Sequence, residues 1–257
     1  MSARKSSRSL LATLALLLAG CASLPARPPE PLAPELHRLL DGMDRRWRQF
    51  EDLRSRIEIS LRRGSQVQRL SGVLLLKSPG SIRLELLSPW GQPLLLLAAT
   101  KDALTLYQVI ENRALVGPAS ARATERWLGF ALEPTELVAI LAGRVLPMKE
   151  VQNGALRPRD GLGPSLELVG AGGVQRIWLD PETLVVHQVE WTGGSTLLRI
   201  TYDGADAVDP PAALTLEALD RPLSVSIRYR EPEVGVGLPP EAFTLTLPED
   251  AKIQRLR

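Results

Sequence analysis

From Ile57 onward, apolar and polar residues alternate with a period of two, in short runs separated by turns rich in Gly, Pro, Asn and Asp. A period of two places alternate side chains on opposite faces of a strand, so each run predicts a strand with one dry face. Ile57, Ile59 and Leu61 alternate with Glu58, Ser60 and Arg62, and the turn Gly64-Ser65 leads into a run that ends at Lys77. Ile82, Leu84 and Leu86 then alternate with Arg83 and Glu85; the corner Ser88-Pro89-Trp90-Gly91 precedes an apolar run from Leu94 to Ala99. Lys101-Asp102 turns the chain into Leu104 to Val109, and Glu111-Asn112 turns it again, so the runs form an antiparallel meander. Further runs are predicted at Ser165–Val169, Val174–Asp180, Leu184–Trp191, Thr196–Tyr202, Leu223–Tyr229 and Phe243–Leu247.

Helical periodicity occurs in two places. Leu36, Leu39, Leu40, Met43, Trp47 and Phe50 form one stripe of a helix over Pro34–Asp52. Its polar face carries mixed charge, which favours packing on the domain over lying on a membrane. Midway, Ala119–Phe130 and Thr135–Ala142 read as helices, the second opened by Pro134 and stopped by Gly143. The predicted class is mostly β (α+β): a half-open, strongly curved antiparallel barrel of about eleven or twelve strands. An N-terminal helix precedes it, and the inserted helices cover its concave face.

Before this domain, Arg4, Lys5 and Arg8 are followed by an apolar stretch, Leu10 to Gly20, too short to span a bilayer. The sequence Leu18-Ala19-Gly20-Cys21 resembles the bacterial lipobox, in which small residues admit the peptidase and the thiol receives the lipid. We therefore expect a signal peptide over 1–20, a lipidated Cys21 on a Pro-rich tether over 21–34, and a β domain over 35–257. Pro25, Pro28, Pro29, Pro31 and Pro34 keep that tether extended. Cys21 is the only cysteine, so no internal disulfide staples the domain. Ala22 is not the Asp associated with inner-membrane retention in well-studied enterobacteria, and the expected location is the periplasmic face of the outer membrane.

Charge and motif content narrow the functions. Of 31 basic residues against 29 acidic, three basic ones lie in the signal segment, leaving a near-neutral chain with no nucleic-acid footprint. The two histidines, His37 and His187, lack metal-ligand spacing, and no Gly-x-Ser-x-Gly elbow is present. Gly235-Val236-Gly237 precedes Leu238-Pro239-Pro240, where no helix opens to receive a pyrophosphate. We expect no enzyme and no cofactor beyond the covalent lipid.

The order of these elements resembles the LolA/LolB-like lipoprotein-binding family, and within it the outer-membrane lipoprotein receptors of the Lol pathway. The matching features are the lipobox, the first helix, a strand running into Ser-Pro-Trp-Gly, the segment Ala114–Gly117, helices between Glu125 and Gly143, and a second set of hairpins. The family corner carries Pro, an exposed Leu and Gly; here Pro89, Trp90 and Gly91 occupy it, so the resemblance implies a membrane-inserting loop with Trp for Leu. Two stretches depart from the family: Arg157–Pro164 looks like an expanded loop, and Leu94–Leu97 lacks alternation.

The resemblance further implies an apolar cavity for acyl chains. Candidate lining positions are Leu84, Leu86, Leu95, Leu97, Val189, Trp191, Ile200, Val225 and Ile227 on strands, with Leu137 and Ile140 from the cover. Plain core packing uses the same residue types. The implied role is that of a monomer, anchored to the membrane, that accepts acylated lipoproteins from a periplasmic lipoprotein carrier and inserts them in the outer membrane. Two alternatives stay open: a carrier or sensor of another amphiphile, such as a glycolipid or hydrophobic wall component, and a structural lipoprotein that binds a protein partner.

Overall fold

The computed structural model describes residues 33–193, 197–204 and 210–256. The expected signal peptide over 1–20, Cys21 and nearly all of the expected tether lie outside them. The first helix, α1 (Pro34–Arg48), buries Leu36, Leu39, Met43 and Trp47, so its stripe packs on the domain; Phe50, just beyond it, stacks on Trp47 at 5.8 Å. Six antiparallel strands follow: β1 (Asp52–Arg63), β2 (Gln66–Lys77), β3 (Ser81–Leu87), β4 (Pro93–Ala99), β5 (Ala103–Gln108) and β6 (Arg113–Pro118). Then come α2 (Ala121–Leu128) and α3 (Pro134–Leu141). The second meander comprises β7 (Val151–Asp160), β8 (Gly163–Gly170), β9 (Gly173–Leu179), β10 (Val186–Thr192), β11 (Leu198–Asp203), β12 (Ala213–Ala218) and β13 (Leu223–Val234). A 3-10 turn (Pro240–Phe243) and β14 (Lys252–Arg255) end the described chain.

Among the described residues all fourteen strands join in one open, curved sheet ordered β14-β6-β5-β4-β3-β2-β1-β13-β12-β11-β10-β9-β8-β7. The first meander runs from the centre outward and the second from the far edge inward, and the two meet where β1 pairs with β13, with Ile57 opposite Tyr229 and Ile59 opposite Ile227. Every pairing is antiparallel except β14 with β6. The buried faces of both halves share one core.

The predicted mostly β class holds, but the strand count is fourteen, and the differences have physical reasons. β7, expected to be partly an expanded loop over Arg157–Pro164, is an edge strand: it pairs only with β8, and Pro158 is tolerated there because an edge needs no second ladder. β12 carries Leu214 and Leu216 inward between Thr215 and Glu217, a short alternation missed beside Pro210-Pro211. β14 is four exposed residues with no periodic signal. Conversely, Phe243–Leu247 is not a strand. It lies extended over the outer face of β3, where Arg83 donates to the Thr244 carbonyl, and Phe243 is buried without a ladder partner.

That overlying segment accounts for the apolar run of β4. Leu95 and Leu97 pair with Leu86 and Leu84 on the concave side, whereas Leu96 and Ala98 pair with Glu85 and Arg83 on the side reached by residues 240–247. Both faces of β4 are covered, so neither needs polar residues.

α3 sits inside the curve of the sheet. Pro134, Leu137, Val138, Ala139, Ile140 and Leu141 are all buried, as expected of a helix apolar on every side. The Glu133 amide donates to the Glu136 carboxylate at 2.9 Å, and burial pushes the Glu136 carboxyl above its usual range. Gly143 takes φ +69°, and a Cβ there would stand 2.6 Å from Pro211, so the chain leaves α3 at a position only glycine fits.

Candidate functional site

The two halves of the concave face are filled differently. On the β7–β8 side, Leu36 of α1 reaches so close that a Cβ on Gly154 would lie 2.6 Å from it. On the β1–β5 side the sheet faces α2 and α3, and a cavity of about 450 Å³ remains between them. Ile57, Ile59 and Leu61 of β1, Leu84 and Leu86 of β3, and Val225 and Ile227 of β13 form its floor. Trp127 and Leu128 of α2 and Leu137 and Leu141 of α3 form its roof. Ile59, Leu61, Leu70 and Leu95 face this space only half-buried, which marks apolar surface awaiting cover.

The cavity opens at one end of the sheet, where the β1–β2, β3–β4 and β5–β6 turns gather. Its rim is polar, formed by Arg63, Gln68, Gln108 and Glu111, with Ile110 beside them. Arg113 pairs with Glu111 and donates to Gln108 at 3.0 Å, so the β5–β6 side of the rim is internally neutralised.

Of the residues expected to line a cavity, Leu84, Leu86, Leu95, Leu137, Val225 and Ile227 do so. Leu97, Ile140, Val189 and Ile200 are buried in solid core instead, and Trp191 is a half-buried side chain packed against it. For Val189, Trp191 and Ile200 the reason is the asymmetry just described: the cavity lies over the first meander and the β12–β13 strands, while β10 and β11 lie in the filled half. Sequence reasoning missed the β1 positions, whose alternation was visible, and Trp127 and Leu128, whose place over the cavity depends on how α2 docks.

Pro89-Trp90-Gly91 forms the β3–β4 turn. The Gly91 amide donates to the Ser88 carbonyl at 2.9 Å, the Ser88 amide to the Gln92 carbonyl at 2.8 Å, and Gly91 adopts φ +79°. Trp90 at this tip is 86% exposed. Ile110, at the neighbouring β5–β6 tip, is 80% exposed.

A second depression, about 510 Å³, lies between α2 and β14. Arg122, Arg126, Arg255 and Glu125 wall it, so an apolar chain entering there would desolvate charge. The cavity under α3 is the better candidate. His37 and His187 are both exposed, and among the described residues no three His, Cys, Asp or Glu side chains gather where they could hold a metal ion.

No family model matches the sequence, and no curated protein does. Solved structures do. A DUF1329 family protein from Desulfovibrio piger superposes with a TM-score of 0.58 at 15% identity, over 85% of this chain and 98% of its own. A domain described as an outer membrane lipoprotein-sorting protein from Vibrio parahaemolyticus gives 0.57 at 14% identity, over 80% and 94%. A LolA superfamily protein from Nitrosomonas europaea gives 0.54 at 13% identity, over 83% and 99%. At such identities the likeness is one of architecture, and the architecture agrees with the order of elements in the sequence: this chain has the LolA/LolB-like fold.

Proposed function

We propose that the protein is a lipoprotein, held by lipid on Cys21 at the periplasmic face of the outer membrane, that takes acyl chains into the cavity under α3 and passes acylated proteins to the bilayer. The observation that carries this reading is the open cavity walled by half-buried aliphatic side chains. Each methylene moved from water into it contributes about 0.8 kcal/mol. The bilayer offers a similar gain, so transfer between the two is a small difference between large terms and needs no nucleotide at that step. The fold shared with a lipoprotein-sorting domain supports the reading, as does the exposed Trp90 beside the mouth.

Residues 21–257 carrying Cys21→Ser retain the compact unit 31–257 and are the natural material for the test. They should bind a fluorescent fatty acyl probe saturably at micromolar concentration. Val225→Glu sets a charge against hydrocarbon and should weaken binding at least about tenfold with an unchanged circular dichroism spectrum. Absence of saturable binding by the parent chain overturns the proposal. Probe binding without incorporation of a purified acylated lipoprotein into liposomes by the full, lipidated protein would leave a carrier of another amphiphile.

A further inference from the structure

The β1–β2 hairpin ends in uncompensated positive charge. Between Glu58 and Glu85 the sequence contains no acidic residue, and Arg62, Arg63 and Arg69 cluster at the tip of that hairpin. All three are exposed, and none makes an ion pair or side-chain hydrogen bond among the described residues. Most other arginines on the sheet are matched: Arg54 with Glu233, Arg113 with Glu111, Arg199 with Glu190, Arg230 with Glu58. Arg62 and Arg69 stand diagonally on the outer face, since Arg62 opposes Val67 and Arg69 opposes Ser60, whereas Arg63 turns to the rim of the cavity.

The adjacent hairpins present apolar side chains at the same end. Successive hairpins along a sheet are about 10 Å apart, so the arginine tip, Trp90 and Ile110 span roughly 20 Å. The Ile110 turn is braced: Tyr107 donates to Asn112 at 2.8 Å, Asn112 takes φ 46°, and its amide nitrogen reaches the Asp250 carboxylate at 2.8 Å. A held-out aliphatic, a held-out indole and unpaired guanidinium groups around one apolar opening match an interface of hydrocarbon under anionic headgroups.

We infer that the arginine tip of the β1–β2 hairpin and Ile110 form a docking face for a bilayer containing anionic phospholipid, which sets the cavity mouth against the headgroups. The inference rests on the proposed acyl-binding role and adds to it the class of lipid surface and the residues that read it. Arg62, Arg63 and Arg69 supply attraction that anionic headgroups return and zwitterionic ones do not, whereas Ile110 supplies contact independent of lipid charge.

Residues 21–257 with Cys21→Ser, which lack the anchor, are sedimented with phosphatidylcholine vesicles made with and without phosphatidylglycerol. Binding should be tighter with phosphatidylglycerol and fall with added salt. Each surface arginine removed should weaken it about fivefold, so Arg62→Gln with Arg69→Gln should cost roughly twenty-five-fold on the anionic vesicles. Neither residue lines the cavity, and the same variant should keep full affinity for the soluble acyl probe. Arg62→Lys with Arg69→Lys should restore vesicle binding, and Ile110→Ser should weaken it on both lipid compositions. Equal binding to both vesicle types, no binding to either, or parent-like binding by the double Gln variant overturns the docking face. When the probe still binds, that failure spares the proposed cavity; charge-dependent vesicle binding without probe binding does the reverse.

Discussion

Two buried phenols separate what a polar group costs from what it contributes. Tyr229 of β13 donates from its hydroxyl to the Leu141 carbonyl at 2.6 Å, satisfying an acceptor left over at the end of α3. Tyr202 of β11 is equally buried, yet its hydroxyl has no hydrogen-bond partner among the described residues. Removing the two hydroxyls should therefore act in opposite directions. Tyr229→Phe strands the Leu141 carbonyl and should lower stability by about 1–2 kcal/mol, whereas Tyr202→Phe removes an orphan and should leave stability unchanged or raise it by about 1 kcal/mol. Urea unfolding at neutral pH reads both, and a loss of equal size in the two variants would refute the assignment. Burial pushes both phenols above their ordinary range, with Tyr202 also acting on Tyr229. Raised folded values mean that the stability held by the neutral phenols is full below about pH 10, the unfolded value, and is lost as pH climbs through the folded values.

The β3–β4 hairpin shows how far an element can be read ahead of its structure. Pro89 and Gly91 mark a turn, and a turn tip points its central side chain outward. With Trp90 86% exposed, Trp90→Glu should shift the unfolding free energy by no more than about 0.5 kcal/mol while reducing transfer of an acylated lipoprotein into liposomes. A large drop in stability, or unimpaired transfer, would sink the role of that tip. Patterning also placed β1 to β3, β5, β8 to β11 and β13, because each has one wet face. It failed where burial and pairing part company. Phe243 is buried by lying across β3, β4 is covered on both faces, and β7 has nothing to bury on its outer edge. The cavity was half legible for a related reason. Alternation tells which side of Leu84 or Ile200 is dry, but whether a helix fills the space in front of it depends on where α1 and α3 dock.

At the largest scale described, the β domain is two meanders sharing one seam. Within each, neighbouring strands are successive in sequence, but β1 and β13 lie far apart in it; Arg230 pairs with Glu58 across 172 residues. That seam runs through the cavity floor, since Ile57 and Ile59 come from one strand and Val225 and Ile227 from the other. An acyl ligand lying across it should slow amide hydrogen exchange in β1 and β13 while leaving β8 and β9 unchanged, which exchange measured by mass spectrometry can resolve; uniform protection, or none at the seam, would contradict this placement. A hairpin closes a short loop, whereas the β1–β13 ladder closes a loop of well over a hundred residues and carries the larger entropic cost. Until β13 is in place the cavity floor lacks Val225 and Ile227, so a chain made only as far as β12 has half a floor and nothing for an acyl chain to lie across.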